Sequence, residues 1–207
     1  MPSPDFEIVL KGSTLPAIER NPALPYKHRA HDAATLQQLF DREFAETCNT
    51  RLQRSPDQDP VYLPADTRCP YHRILFAHGF FASALHEVSH WCIAGPARRL
   101  QPDFGYWYCP DGRNTIEQQD FERVEVKPQA IEWMFAQACD YPFQVSVDNL
   151  SGRSGDPAAF KRAIHDQVLW YCRHGLPARA EQFRRALAGY YATNDSDDGQ
   201  RYQLEAL

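Results

Sequence analysis

The chain has 207 residues, of which 43% are hydrophobic, 24% charged and 13% aromatic. This is ordinary globular usage, which excludes wholesale disorder, collagen-like repeats and coiled coils and allows one medium domain with a sizeable core. Lys and Arg number 22 against 27 Asp and Glu, a formal charge of −5, so the dominant basic face of a nucleic-acid-binding domain is not expected.

The N-terminus, Met1-Pro2-Ser3-Pro4-Asp5, has neither the basic nor the apolar region of a secretory signal, which points to the cytoplasm. Residues 1–30 carry five of the 16 prolines and read as a loose extension, with only Phe6 to Leu10 strand-like. The domain proper is expected over residues 31–207. From His31 to Cys48 the residues Leu36, Leu39, Phe40, Phe44 and Cys48 recur three or four apart, the period of one helical face. Ser55 to Asp59 is a polar turn, and short strands are expected at Val61 to Leu63 and Arg73 to Ala77. The longest apolar stretch, Ile74 to Leu85, is broken by His78 and Gly79 and falls well short of the roughly 20 residues of a membrane span. A helix follows, ending at Gly95-Pro96, a pair that suggests a C′ glycine and a stop. Asp103 to Arg113 reads as a short strand entering a Pro-Asp-Gly turn. At Phe121 to Phe135, Pro128 leaves two choices, a kinked long helix or a fresh helix starting at the proline, and local rules favour the fresh start. Two more helices are expected at Pro157 to Cys172 and Pro177 to Tyr191, before an acidic tail containing Asp195, Asp197 and Asp198. The six cysteines form no C-x-x-C pair and read as reduced, buried thiols. The fold class is therefore α+β: a helix-rich single domain with a short mixed sheet.

The chemistry lies in His86-Glu87-Val88-Ser89-His90. Phe81, Leu85, Val88 and Cys92 share one face of this helix, while His86 and His90 stand on nearly the opposite one, neighbours able to chelate one metal. H-E-x-x-H is the pattern of a zincin-like metal-binding helix, with Glu87 beside the open position. A third protein ligand is needed, and no histidine completes the extended motif, since Ile93 and Pro96 occupy the frame. The downstream carboxylates are Asp103, Asp111, Glu117, Asp120, Glu122, Glu125 and Glu132. Glu125 stands out because Val124 and Val126 flank it at an expected helix entrance, with Glu122 next. Two histidines and a carboxylate suit zinc hydrolysis and non-haem iron oxygen chemistry alike. None of the eight histidines begins the H-x-[DE] of jelly-roll oxygenases, and there is no Walker A, G-x-G-x-x-G or G-x-S-x-G motif.

Several blocks resemble the elongation factor P hydroxylase family: Tyr62-Leu63-Pro64-Ala65-Asp66, Ile74 to Phe80, His86 to Gly95, Asp103 to Arg113 and Val124-Glu125-Val126-Lys127-Pro128-Gln129-Ala130. The resemblance implies a metal-dependent hydroxylase that uses O₂ to add one hydroxyl to the β-lysylated lysine of elongation factor P. It places the family's metal site on His86, His90 and Glu125, with Fe²⁺ expected; beside such a metal Glu87 could orient a metal-bound water or a proton. The extension before His31 is the main departure from the family pattern. An oxygenase needs the target C–H in a water-poor pocket. Tyr106, Trp107 and Tyr108 could wall it, Asp111 or Glu122 could receive the substrate ammonium, and His78 reads as a supporting or core histidine. Arg98, Arg99 and Arg113 are candidate grips on acidic groups of the partner. The alternatives are a zinc metallopeptidase in which Glu87 activates water, and a protein-binding domain with a structural metal, which would need a fourth protein ligand.

Overall fold

The computed structural model describes residues 29–57, 59–103, 112–147, 156–193 and 198–207. Its main elements are α1 (Ala33–Phe44), β1 (Thr50–Arg54), β2 (Val61–Leu63), β3 (His72–Phe76), α2 (Phe81–Ile93), α3 (Thr115–Cys139), α4 (Pro157–His174) and α5 (Ala178–Tyr191), with short 3-10 turns at Arg98–Leu100, Gly199–Arg201 and Leu204–Ala206. The expected strand at Phe6 to Leu10 and the tail acids Asp195 and Asp197 lie outside the described residues. No described helix is long and apolar enough to cross a membrane.

The helical period placed α1 correctly: Leu36, Leu39, Phe40 and Phe44 are all buried. The helix opens at Asp32, whose carboxylate accepts from Thr35 N at 2.8 Å, and it is shorter at both ends than the expected range. Beside it lies a three-stranded sheet in the order β1-β3-β2, with β1 parallel and β2 antiparallel to β3. Sequence reading missed β1, since Thr-Arg-Leu-Gln-Arg has a single strong apolar residue. Its backbone is held from outside: Leu52 N donates to Asp41 at 3.0 Å, and Leu52 O accepts from Gln37 at 3.0 Å.

Helix α2 buries Phe81, Leu85, Val88 and Cys92 as its pattern required, but its C-terminus differs from expectation. Ala94 is extended and Gly95 does not have a positive φ, because a residue before proline is driven to extended backbone. The last carbonyls are capped from a distance instead. Arg179 of α5 donates Nη2 to Trp91 O, Cys92 O and Ala94 O at 2.7, 3.1 and 2.6 Å, its guanidinium 4.4 Å from the Trp91 ring centre.

The largest departure is α3, a single helix of 25 residues with Pro128 inside it. It starts at an Asn114/Glu117 capping box, well before the proline. An interior proline costs about 3 kcal/mol. Burial of Ile131, Trp133, Met134 and Phe135 just beyond it, each worth roughly 1.5–3 kcal/mol, outweighs that. Helix α3 runs through the middle of the core, packing on α2, α4 and α5. Helices α4 and α5 sit within a few residues of expectation, α4 capped by Asp156 with Pro157 in its first turn and α5 preceded by Pro177.

Candidate metal centre

Helices α2 and α3 face each other across the site. His86 and His90, four apart, stand on the side of α2 away from its core stripe, and a polar stripe at Gln118, Glu125 and Glu132 recurs every seven residues along α3. Four donor atoms meet there. His90 Nε2 lies 3.1 Å from His86 Nε2 and 3.1 Å from Glu125 Oε1, and His86 Nε2 lies 3.7 Å from Glu125 Oε2. One atom from each of these three residues lies within 4.8 Å of the others. Ligands held at about 2.0–2.2 Å from one ion are separated by about 3–3.6 Å, so the three donors have the spacing of one face of a coordination shell, with further positions left open. The donor set therefore fits a single metal ion.

A second carboxylate completes the surroundings. His86 Nδ1 lies 2.8 Å from Glu132 Oε2. A carboxylate accepts, so Nδ1 carries the proton and Nε2 is the ring nitrogen turned to the metal position. Gln129 reaches Glu125 Oε2 at 3.4 Å and ties this turn of α3 to Ser146 O at 2.7 Å. The charges are unbalanced without a cation. Burial opposes ionisation of Glu125, yet His90 and then His86 hold its carboxyl down to about 2. Burial likewise opposes charge on His86, but Glu132 and then Glu125 raise it well above the usual histidine range. A metal ion held at Nε2 would take the place of that proton. Burial pushes the Glu87 carboxyl up against the pull of both imidazoles.

Two cavities border the site. The larger, about 670 Å³, lies on the His86 side and is lined by Glu87, Glu132, Phe143 and Val145 among others. The smaller, about 210 Å³, lies on the His90 side and is lined by Arg98, Arg99, Asp103 and Pro128 among others. Glu87 borders both.

Of the residues expected from sequence, His86, His90 and Glu125 come together and Glu87 stands beside them. Glu125 arrives for a different reason than expected: it lies well inside α3, two turns from Glu132 on one stripe, not at a helix entrance. Tyr106, Trp107, Tyr108 and Asp111 lie outside the described residues. Glu122 accepts from Gln118 at 3.0 Å and lines neither cavity. His78 is not a core histidine, for it is exposed, at φ 53°, on the rim of the larger cavity. Arg113 is not a surface grip either: it is 4% exposed, donating to Gln118 and Val147 O with its guanidinium over Phe121. Arg98 forks onto Asp103 at 2.7 and 2.8 Å. Glu132 was one of seven candidate carboxylates downstream of the histidine pair. Its seven-residue spacing from Glu125 singles it out only once the helix is known to run through Pro128.

A family model described as elongation factor P hydroxylase matches residues 39–201. An elongation factor P lysine hydroxylase of Haemophilus influenzae is 50% identical over 177 residues, covering 86% of this chain and 99% of that protein.

Proposed function

The chain belongs to the elongation factor P hydroxylase family, and we propose on that premise that it adds a hydroxyl group to a lysine side chain of elongation factor P, the one that carries a β-lysyl adduct. The observation that carries this reading is the gathering of His86, His90 and Glu125 donors within 4.8 Å of one another beside a cavity of about 670 Å³. Two imidazoles and one carboxylate with open positions form the ligand set of non-haem iron oxygenases, so iron is the metal assigned here. Iron in that place would supply the chemistry of O₂ activation.

The chain's own residues do the positioning. His86 and His90 on α2 and Glu125 on α3 project from helices whose other faces are core, which fixes the spacing of the donors. Glu132 holds the His86 ring in one orientation through Nδ1. Glu87 borders both cavities and makes no hydrogen bond or ion pair among the described residues, so its carboxylate is available to take up and return a proton. Leu85, Phe143 and Val145 line the larger cavity and limit water around a bound C–H group.

The test is the mass of elongation factor P bearing the β-lysyl adduct after incubation with metal-loaded protein and a two-electron reductant, which takes the second oxygen atom of O₂ to water. A gain of one oxygen atom in air and none without O₂ is expected. Cleavage of the partner, or an anaerobic mass gain, overturns the reading. The peptidase alternative is not favoured, since the matched family and the relative are both hydroxylases.

A further inference from the structure

The two cavities that border the candidate metal centre differ in charge as well as size. The larger has Glu87 and Glu132 on its wall and no Lys or Arg among the described residues that line it. Glu132 is 9% exposed, accepts from His86 Nδ1 at Oε2 and leaves Oε1 without a partner among the described residues. Leu85, Tyr141, Phe143 and Val145 add apolar wall beside these carboxylates. The smaller cavity has Arg98 and Arg99 on its wall, and Arg99 has a buried Nε without a hydrogen-bond partner.

We propose that the larger cavity receives the substrate's alkylammonium side chain, its methylene stem along the apolar wall and its ammonium against Glu132 and Glu87, while the smaller cavity excludes it. The proposal rests on the lysine-hydroxylase reading above and adds the route by which the side chain reaches the metal. An ammonium group entering a partly buried space needs carboxylates without basic side chains beside them: the larger cavity offers Glu132 and Glu87 with no Lys or Arg among its described lining, whereas the smaller shares Glu87 but sets Arg98 and Arg99 on the same wall. In size, about 670 Å³ lies within the usual range of ligand cavities, roughly 300–1,000 Å³, whereas about 210 Å³ lies below it. Glu122, considered from sequence as an ammonium receptor, borders neither space.

The experiment is a calorimetric titration of metal-loaded full-length protein with 1,5-diaminopentane, and with 1-pentanol as the uncharged control. Two variants separate the cavities without touching the metal donors. Ala82→Phe fills the larger one, where Ala82 is part of the wall. Gly95→Phe reaches into the smaller one, at a position where an added Cβ meets nothing within 4 Å. The diamine should bind saturably and at least about tenfold more tightly than the alcohol, a difference of about 1.4 kcal/mol. Ala82→Phe should weaken it by at least about tenfold and Gly95→Phe by less than about twofold. Ala82→Met serves as a milder filling variant, and the melting temperature of each protein shows that it is folded. Absence of saturable binding, equal binding of the alcohol, or a loss confined to Gly95→Phe overturns the proposal. Because diamine binding needs neither O₂ nor elongation factor P, it can fail while the hydroxylation assay succeeds, and the reverse.

Discussion

At Glu125, which is 2% exposed between two imidazoles, a Gln replacement keeps the volume and removes the charge. Metal affinity of Glu125→Gln should fall by about tenfold or more, and titration with Fe²⁺ or Zn²⁺ measures it. Retention of full affinity would move the third ligand elsewhere. Glu132→Ala should lower metal affinity by about 10–100-fold through loss of its hold on His86, with Glu132→Gln falling between because an amide oxygen still accepts from Nδ1. Glu87 separates from these two. Glu87→Gln should keep its metal and lose about 10²–10⁴-fold in turnover, the range for a proton-transfer group, and metal analysis alongside the hydroxylation assay tells the effects apart. The pair His86/His90 was readable from four-residue spacing alone. Glu132 was not, since its role requires two helices to meet.

Helix α2 carries both histidines, yet its C-terminal end is completed by α5. Arg179 serves three carbonyls in the turn that follows His90 and lies against Trp91. Arg179→Ala removes the charged donor from all three carbonyls and leaves only Trp91 O with another among the described residues, the Ala94 N–H at 3.3 Å, a cost of about 1.5–3 kcal/mol for hydrogen bonds from a charged group. In a chain of this size that corresponds to a melting temperature lower by about 3–12 °C. Arg179→Lys should recover only part of it, since an ammonium lacks the planar fork; full recovery would refute the capping role. Local rules failed at two prolines for related reasons. At Gly95-Pro96 the proline kept the glycine out of the left-handed cap, and at Pro128 burial on both sides of the break carried the helix through. Propensity weighs single residues, whereas α3 is stabilised along 25 residues at once.

The buried cluster of the whole molecule extends from Leu36 of α1 to Tyr202 near the C-terminus, and the family match covers residues 39–201. His86, His90 and Glu125, with Glu87 and Glu132 beside them, all fall inside that match. We therefore expect removal of residues 1–28 to leave the melting temperature and the hydroxylation of elongation factor P unchanged within error. A loss of either, measured by calorimetry and by partner mass, would give the N-terminal segment a structural or docking role. By itself the sequence determined the helix that carries His86 and His90, its inward and outward faces, Glu125 as the preferred third donor, and α1, α4 and α5 to within a few residues. The helices and the histidine pair follow from the helical period and a four-residue chelating spacing, which act over a few residues of chain, whereas Glu125 was picked out by its flanking valines and the family resemblance, on a premise of a helix entrance that α3 does not have. Only the tertiary structure decided that α3 continues through Pro128, that Glu132 steadies His86, that Arg179 closes α2 from 87 residues away, that β1 exists, and that two cavities of unlike charge meet at the site. Each of these depends on groups distant in sequence burying or bonding one another, and the free energy of such contacts belongs to no single segment.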